Sequence, residues 1–116
     1  MKTEDIIQIL SDNLKALKEE QNLKSGLDVE KQTGISKAQV NNLIAKKHAA
    51  TIATLVEFSN GFDVPPWALI HENGPVLYRH PGLLQLIDYF SNTTSGGQKL
   101  ILGVAESQPH QKRPSN

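Results

Sequence analysis

The feature that most constrains this chain is a three-residue interruption, Gly34-Ile35-Ser36, set between two short amphipathic stretches. Glycine adopts the positive φ that a sharp reversal between helices requires, and serine accepts hydrogen bonds from the unsatisfied amides of the helix that follows. Val40, Leu43 and Ile44 then share one helical face, and Lys37, Ala38, Gln39, Asn41 and Asn42 are left to solvent or a ligand. A bend of this kind holds only if the flanking segments supply a core for Val40 and Leu43.

Those segments read as helices. Thr3 caps a first helix in which Ile6, Leu10, Leu14 and Leu17 recur every three or four residues, and Asn22 stops it. Ser25 or Asp28 begins the second, Val29 with Leu27 gives its inward face, and Gly34 ends it. The third runs from Ser36 to Ala45 or Lys47. Thr51 caps a fourth, with Ile52, Leu55, Val56 and Phe58 inward and Asn60-Gly61 closing it. Val64 to Ile70 forms a short fifth, because proline is tolerated in a first turn where its missing N–H is not needed. The reading is all-α, with five helices accounting for residues 3–71. Residues 72–80 contain Gly74-Pro75 and read as a linker or an extended crossing. Pro81 opens a sixth helix carrying Leu83, Leu84, Leu86, Ile87 and Phe90. A last helix starts at Ser95, with Gln98 as its capping-box partner, and buries Leu100, Ile101 and Val104. The expected organisation is a domain over residues 1–72, a linker with C-terminal helices over 73–108, and a disordered polar tail over 109–116.

Composition narrows the chemistry. The chain has 116 residues, room for one modest core. It has no cysteine, so disulfides, thiolate metal sites and a cysteine nucleophile are excluded. No apolar run reaches the roughly 20 residues of a membrane helix, and the polar, acidic N-terminus does not resemble a secretory signal; a soluble, cytoplasmic protein without a membrane partner is expected. His71, His80 and Asp88 lack a recognised ligand spacing, and neither a nucleophile elbow nor a phosphate-cradling glycine loop is present. No metal, cofactor or catalytic residue is expected, and the reading is not of an enzyme. Net charge is zero, but its distribution is uneven: residues 24–50 carry five lysines against two acids, and the 23 residues before them carry a net −2. Positive charge gathers around the bend, and outward amides at helical spacing can bond base edges in a major groove.

With the second and third helices placed, residues 17–70 resemble the lambda-repressor-like helix-turn-helix family, which includes phage repressors, Cro proteins and bacterial regulators of the xenobiotic-response type. The matching positions are Leu17, Leu23, Val29, the turn Gly34-Ile35-Ser36, then Val40, Leu43, Ile44, Thr51, Leu55, Val64 and Leu69. Glu30 replaces the family's frequent alanine in the middle of helix two, and Gly26 replaces the glutamine at its start. The resemblance implies a five-helix domain whose third helix lies in the major groove of double-stranded DNA as half of a two-fold dimer; the C-terminal helices read above are then a helical appendage to it. Base reading would fall to Lys37, Ala38 and Asn42, flanked by Gln39 and Asn41. Phosphate contact would fall to Lys24 and Ser25 at the start of helix two, to Ser36, and to Lys46 and Lys47 after helix three. The function so implied is a transcriptional regulator, a repressor acting as a homodimer on an inverted repeat.

Each feature also has an ordinary explanation. A polar helix face is usually just solvated, and Lys46-Lys47-His48 can be a loop without a ligand. Phe58 and Trp67 could stack on bases, but their spacing is that of core residues. The apolar faces of residues 83–90 and 100–104 either fold back on their own chain or pair with a second copy. A protein-interaction module, an antitoxin or adaptor on the same scaffold, is the alternative function; it expects the lysines to be dispensable.

Overall fold

The computed structural model describes residues 1–109, and the part of the expected tail from residue 110 onward lies outside them. The described residues form eight helices and no strand: α1 (Thr3–Glu20), α2 (Gly26–Thr33), α3 (Lys37–Ile44), α4 (Ile52–Phe62), α5 (Pro66–Ile70), α6 (Gly74–Arg79), α7 (Leu83–Asn92) and α8 (Ser95–Ser107). The chain divides after Arg79 into two units.

The first unit is built on α1. Its cap is Lys2 rather than Thr3: the Asp5 carboxylate accepts the Lys2 N–H at 2.8 Å, closing the first turn one residue earlier than expected. Leu10, Leu14 and Leu17 are buried against α3 and α5, and Ile6 is only partly covered. The helix stops where expected, with Asn22 in the left-handed region at φ 57°.

Two buried polar residues on α1 join it to the rest of the unit. The Ser11 hydroxyl donates to the Ile44 carbonyl at the end of α3, 2.6 Å away. The Asn13 amide donates to the carbonyls of Leu69 (2.8 Å), His71 (2.9 Å) and Ala68 (3.2 Å), satisfying the end of α5.

Helix α4 differs from its expected orientation. Ile52 and Val56 face solvent, and the inward surface is Thr54, Phe58, Ser59 and Phe62 with Leu55 partly covered. Phe58 and Phe62, one turn apart, stack with ring centroids 5.9 Å apart and so fix which arc faces the core. Gly61 does not end the helix, which runs to Phe62 and closes on Asp63 at φ 55°. Instead Gly61 lets α4 touch α2, since a Cβ there would lie 2.7 Å from Thr33 Cα.

The expected linker over residues 72–80 is mostly helix α6, and it belongs to the first unit. Gly74 and Pro75 are buried in its first turn, where proline's missing N–H costs nothing, as at Pro66 in α5. Tyr78 packs edge-on to Trp67, and Arg79 pairs with Glu20 at 3.2 Å. Trp67 is therefore a packing residue at the surface and Phe58 a core residue.

The second unit is a hairpin of α7 and α8. Thr94, not Ser95, caps α8 by accepting the Gly97 N–H at 3.1 Å, and Gln98 donates to the Phe90 carbonyl at 2.9 Å. Neither helix holds a buried residue. Leu100 and Val104, expected inside, are exposed, and Ile101 is only partly covered.

Candidate nucleic-acid interface

The bend is formed by local chemistry. Gly34 caps α2 at φ 82°, and its N–H donates to the Glu30 carbonyl at 2.8 Å. Ile35 drops into the core with 2 % of its surface exposed, and the Thr33 hydroxyl accepts its N–H. Ser36 caps α3 by accepting the Gln39 N–H at 3.2 Å. Val40 and Leu43 are buried and Ile44 packs at the core's edge, as the spacing predicts.

At 100° per residue, the positions opposite Val40 are Ala38, Asn42 and Ala45. They form a ridge of small side chains around one amide, narrow enough for close approach to a groove floor. Ala38 is exposed and Asn42 partly covered, and the Asn42 amide makes no hydrogen bond among the described residues. Ala45, just past the helix, is a member of this ridge outside the positions to which the family resemblance points.

Of the two flanking amides, Gln39 is engaged within the protein and Asn41 makes no side-chain hydrogen bond among the described residues. Gln39 donates through Nε2 to the Thr54 hydroxyl of α4 at 3.1 Å, and that hydroxyl in turn accepts from Thr51 at 3.0 Å. That bond uses one of the two amine hydrogens of Gln39 and ties its amide to α4; the second hydrogen and Oε1 make no hydrogen bond among the described residues. Asn41 leans the other way, over the first residue of α2: a Cβ on Gly26 would lie 2.6 Å from Asn41 Oδ1 and 3.1 Å from Lys37 Cγ. Gly26 thereby brings the start of α2 against the first turns of α3, placing Ser25, Lys37 and Asn41 in one neighbourhood.

Glu30 has a defined role here. Its carboxylate accepts the Lys37 N–H at 2.5 Å and supplies a second cap for α3 besides Ser36. It also sets a negative charge at the helix N-terminus, where a phosphate would otherwise be favoured. Ser36 and Ser25 each use a lone pair as cap acceptor, Ser25 from the Asp28 N–H at 3.3 Å, and their hydroxyl protons make no hydrogen bond among the described residues.

The lysines separate into two groups. Lys46, in the left-handed region at φ 62°, sends its ammonium to Gln8 Oε1 of α1 at 2.9 Å, and Lys47 beside it is exposed. Lys24 lines an open groove of about 340 Å³ together with Lys15, Lys18, Glu19, Leu23 and Ile44. Lys15, Lys18 and Lys24 form no ion pair among the described residues. Lys15 and Lys18 fall outside the residues marked from sequence; their i, i+3 spacing on α1 is the available signal.

No family model, curated protein or solved structure matches this chain. Among the described residues no helix is long and apolar enough to cross a membrane, and no three His, Cys, Asp or Glu side chains gather as a metal site.

Proposed function

We propose that this protein is a sequence-specific double-stranded-DNA-binding transcriptional regulator of the lambda-repressor-like helix-turn-helix type, a repressor that acts in the cytoplasm as a homodimer on an inverted repeat. The observation that supports it most is the capped three-residue bend that presents Ala38 and Asn42 on the side of α3 opposite its buried face, beside the N-terminus of α2. In this reading Asn42 and Lys37 contact base edges, Ala38 meets a thymine methyl or a close sugar, and Gln39 and Asn41 brace the helix on either side. Ser25, Ser36, Lys24 and Lys47 meet phosphates, Lys15 and Lys18 extend that contact along the groove, and Lys46 joins it on leaving Gln8. No catalytic step is assigned.

Selection of bound sequences from a random duplex pool tests the reading directly. The expected result is a palindromic site whose half-sites lie about one helical turn, roughly 34 Å, apart. Asn42→Ala then relaxes preference at one position per half-site, a loss of about 1–3 kcal/mol of discrimination. Recovery of no preferred sequence, or an Asn42→Ala protein with unchanged affinity and preference, rejects it. The antitoxin or adaptor reading draws support from the exposed apolar residues of α7 and α8. It predicts a stoichiometric foreign partner and a complex insensitive to salt.

A further inference from the structure

The hairpin of α7 and α8 is apolar over more of its surface than two helices can cover. Placed at 100° per residue, the apolar side chains of α7 (Leu83, Leu84, Leu86, Ile87, Phe90) span an arc of about 160°, and those of α8 (Leu100, Ile101, Leu102, Val104, Ala105) an arc of about 200°. A helix with one neighbour needs an apolar stripe of roughly 100°; a helix in a four-membered bundle faces two neighbours and a shared axis and needs nearly half its circumference. The polar arcs carry Gln85, Asp88, Tyr89 and Asn92 on α7 and Lys99, Gly103 and Glu106 on α8; Ser91 and Gln98 fall within the apolar arcs, Gln98 with its amide on the Phe90 carbonyl. Between the helices a largely apolar groove of about 310 Å³ opens, lined by Leu86, Ile87, Phe90, Ile101, Leu102 and Ala105, with Ser91 its one polar residue.

We infer that a second copy of this hairpin fills that groove, and that the two hairpins together form a two-fold four-helix bundle. The missing half must bring two more helices with wide apolar arcs, and a second copy brings both. Its own groove and rims are covered in the same act, as an isologous contact requires. The exposed area is adequate. Leu84, Leu86, Ile87, Leu100, Leu102 and Val104 are 47–70 % exposed. They present on the order of 600 Å² per copy, so about 1,200 Å² in a pair, which is where stable specific interfaces begin. The partly covered Leu83, Phe90 and Ile101 add to it. This inference supplies the partner that the DNA reading calls for, and in that sense rests on it. The association itself is measurable without DNA, so the two can fail separately.

The test is sedimentation equilibrium of the full chain at about 5–100 µM, the weak end of the µM-to-pM span that such interfaces cover, without nucleic acid. The expected mass is twice 12.8 kDa. The double variant Leu86→Asp/Leu102→Asp, at two sites already open to solvent, is expected to sediment as a monomer, with association weakened at least about 100-fold. Ile52→Asp on α4 and Gln85→Glu on the polar arc are expected to leave the mass at the dimer value. A wild-type monomer at the highest concentration overturns the inference, as does a trimer or larger species. So does a dimer that survives Leu86→Asp/Leu102→Asp, or one abolished by Ile52→Asp. Because unfolding of the hairpin in the double variant would mimic dissociation, Leu100→Lys, at the most exposed position of the rim, is run beside it; it must raise the dissociation constant with helical circular dichroism retained at matched monomer fractions, and an unchanged constant counts against the bundle.

Discussion

Replacing Asn13 by alanine should be among the most damaging single changes in the first unit. Asn13 is 4 % exposed and its amine is directed at three carbonyl oxygens. An NH₂ group has two hydrogens, so the 2.8 Å and 2.9 Å contacts to Leu69 and His71 are full hydrogen bonds, and the 3.2 Å contact to Ala68 is a shared one. Truncation to alanine strands the Leu69 carbonyl inside the protein, at about 1–3 kcal/mol, and leaves the His71 carbonyl, nearer the surface, to be recovered partly by water. Adding the small void gives a loss of about 2–4 kcal/mol, against a total stability of about 5–15 kcal/mol for a domain of this kind. The assay is urea unfolding followed at the helical circular dichroism band. With a slope near 1 kcal/mol/M the midpoint falls by about 2–4 M. Asn13→Asp, of nearly the same shape, is the sharper probe: an ionised carboxylate would face carbonyl oxygens with no proton to offer, so it is worse than alanine at neutral pH. Its folded-state pKa is raised above the unfolded value, so the penalty eases as pH falls through that range and one donor is regained. An Asn13→Ala loss below about 0.5 kcal/mol, or an aspartate variant as stable as wild type at neutral pH, would refute the account of how α5 is held.

Ser11→Ala removes the hydroxyl that holds the Ile44 carbonyl; stability falls by about 1–2 kcal/mol in the same unfolding assay, and amide exchange at the end of α3 quickens. Gly74→Ala puts a Cβ 1.9 Å from the Ala68 carbonyl oxygen, a backbone clash that should cost about 3 kcal/mol or more and lower the melting temperature visibly. Glu30→Gln keeps an acceptor for the Lys37 amide but removes a negative charge beside α3, so affinity for the selected duplex should rise; a fall in affinity contradicts the placement of α3 on DNA. Lys18→Ala should reduce the slope of log affinity against log salt by about 0.9 without altering sequence preference, and an unchanged slope removes the groove from the phosphate contact.

What sequence reasoning recovers here is chemistry that acts within a few residues. Gly34 takes its positive φ and Ser36 its cap because both depend only on their own neighbours, and Leu10, Leu14 and Leu17 are buried because a single face of a long helix leaves few choices. The errors follow from partners distant along the chain. Ile52 and Val56 are apolar enough to be core, yet the stacked phenylalanines decide which arc of α4 turns inward. Gly74-Pro75 reads as a breaker, although Pro66 starts α5 by the same rule that lets Pro75 start α6; what settles it is packing on α5. Gln39 is restrained by Thr54 and Lys46 by Gln8, 15 and 38 residues away, and no local pattern announces either bond. In α7 and α8 the apolar pattern is legible, but the depth of burial is not: neither helix holds a buried residue, although the spacing of Leu100 and Val104 is that of an inward face.

The space beside Gly34 has an evolutionary consequence. A side chain added there would meet nothing within 4 Å, so what excludes most residues is handedness and not crowding. Asparagine, which tolerates that half of the dihedral map, could enter with little loss, whereas valine or isoleucine would have to unwind the corner. Homologous chains could therefore vary at this corner between glycine and asparagine while the helix beyond it keeps its aim.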